Sequence, residues 1–253
     1  MWLANFYCWL RMLFTPESVT AIGTVGAVIV ALLLALYGDW LRRWRFRPQL
    51  HLEARVQRPD AEKTIWRSQV GGIGGVTVDI GDVYFFRLAI ENRGNAEALD
   101  SQVFLASVDR VIGSRVEPVD RFTPMNLKWA YIGRPTLPVL LPNMPRRFCD
   151  FVHVTNPTCK RVIVPNEDLP GIGKDEAVLA LDLETIPNTL GNLLEAGTYR
   201  FGIVLAASNF PPRREVLEVV FPGKWFDDQD MMFSAGFTMR KSNEPFRTME
   251  LAG

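Results

Sequence analysis

Hydrophobic positions follow two regimes along this chain. Residues 19–37, VTAIGTVGAVIVALLLALY, are apolar with no charged side chain. At about 1.5 Å per residue this run rises about 28 Å, close to the roughly 30 Å hydrocarbon core of a bilayer. The pattern predicts a transmembrane helix. Thr15, Pro16 and Glu17 mark its start with a capping hydroxyl, a first-turn proline and a carboxylate at the positive end of the helix dipole. Ahead of it, residues 1–18 open with MWLANFYCWLRMLF, hydrophobic and aromatic but too short to span, and are expected to lie in the membrane interface.

After Pro48 the period drops to two. Leu50, Leu52, Ala54 and Val56 alternate with His51, Glu53 and Arg55, and Tyr84, Phe86, Leu88 and Ile90 alternate with Arg87 and Glu91. Both read as half-buried strands. Further strands are expected at 102–108, 148–154, 161–164, 177–183, 198–206 and 215–221, separated by breaks such as Leu141-Pro142-Asn143, Asn156-Pro157 and Phe210-Pro211-Pro212. Residues 61–82, with glycines at 71, 72, 74 and 75, read as a loop excursion, and 188–194 as one short helical turn. Short strands with turn signals between them imply an antiparallel sandwich or barrel. The expected fold class is mainly β: an N-terminal transmembrane helix followed by an antiparallel β-sandwich. The divisions are an interfacial segment at 1–18, the span at 19–37, a basic neck at 38–48, the sandwich at 49–222 and a C-terminal segment at 223–253.

Two stretches carry a resemblance. Glu195-Ala196-Gly197-Thr198-Tyr199-Arg200-Phe201 resembles the approach to strand F of immunoglobulin-type domains, where a tyrosine two residues after a glycine ties down a corner. Phe201 stands where such domains carry their second cysteine, so no inter-sheet disulfide is implied. Residues 83–105 resemble the strand–turn–strand of bacterial immunoglobulin-like adhesion modules, with Asn92, Gly94 and Ala98 in matching places. The whole layout is similar to bacterial single-pass membrane proteins of unassigned function. The resemblance implies an immunoglobulin-like fold and no particular chemistry.

Charge adds a direction to this plan. Residues 1–18 hold one basic residue, Arg11, whereas the far flank of the span holds Trp40, Arg42, Arg43, Trp44, Arg45 and Arg47. The indoles suit the headgroup level, and the arginines keep their side in the cytoplasm. The expected topology is an inner-membrane protein with its N-terminus outside and the bulk of the chain cytoplasmic. The chain totals 28 basic and 28 acidic residues, but residues 40–70 balance at +5 and residues 71–253 at −4. A basic neck attracted to anionic lipid fits that split, and a neutral total argues against a nucleic-acid coat. Within the span, Gly23, Ala27, Ala31 and Ala35 recur every four residues and fall on one helical face. Such a face either packs a second helix or is a chance alignment of common residues.

Candidate chemistry is sparse. Three cysteines do not make a disulfide scaffold, and two histidines leave little for metal or proton transfer. Gly171-Ile172-Gly173-Lys174 has the glycines of a phosphate loop, but Asp175 stands where a hydroxyl is needed. Cys149, His153 and Cys159 are a thin set of metal ligands, with Cys149 read as apolar filler and His153 as a surface residue. Asp182 and Glu184 are assigned to a solvated strand face, and Asp227, Asp228 and Asp230 lack the glycines of a calcium loop. No catalytic, metal or cofactor residue is assigned. The expected function is a non-enzymatic binding, sensing or scaffold module, self-associating or joined to another membrane or cytoplasmic subunit. The alternative is a ligand-gated membrane effector, for example one responding to a cyclic oligonucleotide in anti-phage defence.

Overall fold

The computed structural model describes residues 16–70, 76–159 and 176–246, and within them the side chains other than those at 16–19, 21, 39–44, 68–70, 76–80 and 159. The chain divides into two compact units, Met1–Arg47 and Pro48–Gly253. The first contains helix α1 (Pro16–Arg45). Among the described residues no helix is long and apolar enough to cross a membrane. The consecutive side chains described in α1 run over 22–38, about 26 Å of rise at about 1.5 Å per residue. The expected anchor residues Gly23, Ala27, Ala31 and Ala35 lie on this helix and are exposed, as are Arg45 and Arg47. The side chains of Trp40, Arg42, Arg43 and Trp44 lie outside the described residues, as do residues 1–15.

The second unit is built from strands. In chain order they are β1 (Leu50–Ala54), β2 (Ala61–Val70), β3 (Val76–Asn92), β4 (Ala98–Ile112), β5 (Arg115–Pro118), β6 (Met125–Asn126), β7 (Lys128–Trp129), β8 (Thr136–Leu140), β9 (Arg147–Thr155), β10 (Val178–Leu181), β11 (Leu193–Leu194), β12 (Gly197–Ala207), β13 (Phe210–Phe221) and β14 (Thr238–Ser242). One sheet runs β1–β3–β9–β10–β11, with β2 also along β3 and β7 also along β9. The other runs β14–β13–β12–β4–β5, with β6 and β8 also along β4. All of these ladders are antiparallel.

The core between the sheets is set by alternation. Leu50, Leu52, Tyr84, Phe86, Leu88 and Ile90 are fully buried, as the period of two requires. Phe151 of β9 meets Phe201 of β12 edge to face, with ring centroids 5.1 Å apart, so an aromatic pair joins the two sheets. The Tyr199 hydroxyl donates to the Glu195 carbonyl at 2.9 Å, the corner tie expected from the sequence.

Several expectations are corrected. Residues 61–82 are not an excursion: β2 and the first half of β3 form a long antiparallel ladder, Ala61 opposite Phe86 through Val70 opposite Val76. The β-branched alternation of Val76, Val78 and Ile80 outweighs the glycines, and 71–75 lie outside the described residues. Residues 188–194 are turns followed by β11, closed by Leu190 N–H to Pro187 O and Leu193 N–H to Leu190 O. Pro211 and Pro212 lie inside β13 and not in a break. The β12–β13 register shifts between Leu205 and Ala207, with Ala207 opposite Phe210, so pairing at the prolines is interrupted where they lack a donor. The sandwich also extends beyond residue 222. Met232 and Phe237 join its core, Phe237 stacking on Phe86 at 3.8 Å, and β14 pairs with β13. The proposed strand at 161–164 and the Gly171–Lys174 run fall outside the described residues.

Candidate functional site

Two places concentrate chemistry. The first is the outer face of the first sheet. His153 on β9 and Asp182, just past β10, are both buried, and His153 Nδ1 lies 3.0 Å from Asp182 Oδ1. Neither residue is on a solvated surface, which corrects both expectations. Trp66 and Phe85 lie against the imidazole, with centroids 5.0 Å and 5.5 Å away. Beside them Arg87 bonds Asp150 at 3.0 Å and Glu62 at 3.1 Å, and its guanidinium lies 5.0 Å from the ring of Tyr131. Tyr131 is 83% exposed and sits at φ 66°, a left-handed conformation costly for a bulky residue.

His153 Nε2, Asp182 Oδ2 and Thr155 Oγ1 are buried without a hydrogen-bond partner. Each such atom costs on the order of 1–3 kcal/mol unless a water fills the gap. A carboxylate-oriented imidazole is half of a proton-transfer device, but the other half requires Nε2 to reach a substrate. At 5% exposure His153 is sealed beneath Trp66 and Phe85. Burial, then the neighbouring charge of Asp182, pushes the Asp150 carboxyl up, against the pull of Arg87.

Cys149 is in the core as expected: its Sγ lies 3.1 Å from the Lys128 carbonyl, and burial raises the thiol pKa well above its usual value. The side chain of Cys159 lies outside the described residues. Among the described residues no cluster of three or more His, Cys, Asp or Glu side chains could hold a metal. The acidic group at 227–230 has local work: Asp228 Oδ1 accepts from Met231 N–H at 2.8 Å, and Asp227 Oδ1 accepts from the Trp225 indole at 2.9 Å.

The second place is a cleft of about 330 Å³ at the end of the sandwich away from Leu50. The ends of β4 and β5 form one wall through Arg110, Ile112 and Glu117, and Leu193, Leu194 and Tyr199 form the other. Asp120 and Arg121 stand at the rim. Arg110 pairs with Glu195 and donates to the Ala196 carbonyl at 3.3 Å, so its charge is used inside the protein. Arg121, Glu117 and Asp120 are exposed and make no ion pair among the described residues. Gly191 holds the wall in place, because a Cβ there would run into the Arg121 carbonyl oxygen. The cleft therefore offers one cation and two carboxylates over an apolar floor, which suits a polar partner carrying both signs. Sequence reasoning missed it because its lining comes from four segments with no shared motif.

Comparison with protein-family models, curated proteins and solved structures found no match.

Proposed function

We propose that this chain is a membrane-tethered, immunoglobulin-like binding module that presents its charged cleft in the bacterial cytoplasm. One observation carries the reading. The large apolar side chains of α1, from Ile22 to Tyr37, are each 50–72% exposed and point to every side of the helix. A helix apolar all round is covered by lipid or by other helices. Residues 18–38 contain no charge, a run of about 31 Å at about 1.5 Å per residue, which matches one crossing. The arginines that follow favour a cytoplasmic sandwich.

The order β1–β3–β9–β7 against β13–β12–β4–β5, together with the Tyr199 corner, supports the immunoglobulin-like assignment. Binding is favoured over catalysis because the His153–Asp182 pair is sealed while the charged cleft is open. The open space beside Gly23 supports close approach of a second helix along the Gly23, Ala27, Ala31 and Ala35 face.

Alkaline carbonate extraction tests the tether. The full chain stays with the membrane pellet and a chain lacking residues 19–37 moves to the supernatant. A full chain stripped by carbonate overturns the reading.

A further inference from the structure

The ion pairs of the sandwich are layered, and the layering differs between two regions. Around β1, β13 and β14 the cations lie outside and the carboxylates beneath them. Arg93 bonds Glu53 at 2.7 Å and Glu91 at 2.8 Å, and Glu215 is ion-paired with Arg213 at 2.8 Å and Lys241 at 3.5 Å. Glu53 and Glu215 keep 15% and 14% of their side-chain exposure, against 50%, 46% and 35% for Arg93, Arg213 and Lys241. At Lys63 on β2 the order reverses: Lys63 keeps 27%, against 39% and 82% for its partners Asp82 and Asp227. The layering therefore leaves the cations outermost around β1, β13 and β14, and carboxylates outside Lys63.

The positive surface converges on His51, which lies opposite Glu91 on β1. Arg213 Nη1 reaches to 3.5 Å from the neighbouring Leu50 carbonyl. Leu50 opens the sandwich five residues after α1 ends, so β1 is the strand that follows the helix in the chain. We propose that the seam formed by Arg93, Arg213 and Lys241 around His51 seats the sandwich on an anionic lipid surface. The proposal rests on the tethered reading and adds to it a second contact with the bilayer, made by the sandwich itself. Anionic headgroups take the exposed guanidinium and ammonium groups, while the carboxylate-out surface and its Asp227 are kept away by like charge. The titration of His51 supports this. Burial first, then Arg93, Lys241 and Arg213 push its pKa down, against the opposing pull of Glu53.

His51 is one of two histidines in the chain and reports on the seam directly. The full chain is reconstituted into vesicles of phosphatidylcholine alone and of an equimolar mixture with phosphatidylglycerol, and the imidazoles are titrated by NMR. The expected result is a His51 pKa about half a unit higher over the anionic lipid, roughly a threefold gain in proton affinity, reduced by added salt. In the double variant Arg93→Gln with Arg213→Gln the difference between the two lipids shrinks. A chain inserted in both vesicles with the same His51 titration overturns the seat and leaves the tether standing. The same rise on adding inorganic phosphate to phosphatidylcholine vesicles also overturns it, in favour of a small-anion site. A chain that floats with neither vesicle overturns the tether and the seat together.

Discussion

The Tyr199 hydroxyl donates to the Glu195 carbonyl from a buried ring, and burial pushes its pKa from the usual 10 up to about 12. Because the folded value is the higher one, the neutral phenol contributes stability in full below pH 10. That contribution is lost between pH 10 and 12, up to about 3 kcal/mol in all. Spectrophotometric titration is expected to show Tyr199 still protonated at pH 11, a signal that Tyr199→Phe removes, together with a fall in stability across that window. Tyr199→Phe is expected to cost about 1–2 kcal/mol in urea unfolding, since it leaves a partly buried carbonyl unpaired. Cys149, with its thiol raised by burial, is expected to resist alkylation until the sandwich unfolds; rapid labelling under native conditions contradicts its place in the core. The Tyr199 tie was legible because all its partners lie within five residues. The His153–Asp182 pair was not, because 29 residues separate its members and β9–β10 pairing brings them together.

At the scale of elements, strands with clean alternation were readable and their lengths were not. β3 and β4 run well beyond the expected 83–92 and 102–108, because register with long neighbours extends a strand into sequence that looks neutral alone. β14 was missed since Met239 is its one buried residue. Glycine at 191 was likewise unremarkable in sequence, yet its contact with the Arg121 carbonyl leaves no room for a methyl group. Gly191→Ala is expected to destabilise the domain by about 1–3 kcal/mol and to disturb the cleft before the rest, measured by hydrogen exchange at 119–121 and 193–195. Phe201→Ala removes one half of the inter-sheet aromatic pair and is expected to cost about 3–5 kcal/mol. On the helix, replacing Ala27 and Ala31 with leucine is expected to shift native mass spectra of the detergent-solubilised chain from oligomer to monomer. Unchanged copy number contradicts close helix packing.

For the whole molecule, the neutral total of 28 basic and 28 acidic residues hides both the basic stretch at 40–70 and the layering of ion pairs within the sandwich. The first was legible as a run of arginines. The second was not, because which partner of a pair faces outward depends on the fold. Within the sandwich, the cation-out seam around β1 and the charged cleft lie at opposite ends, and the exposed apolar helix is a separate unit of the chain. The cleft predicts a partner held by Arg121, so Arg121→Glu is expected to lose any subunit that co-purifies with the full chain while leaving its thermal unfolding unchanged. The most direct measurement places reporters at both ends of the full chain, one active only in the cytoplasm and one active only outside it. Tethering by α1 predicts that the N-terminal fusion is active only with the outside reporter and the C-terminal fusion only with the cytoplasmic one. Both ends reporting from the same side contradicts it.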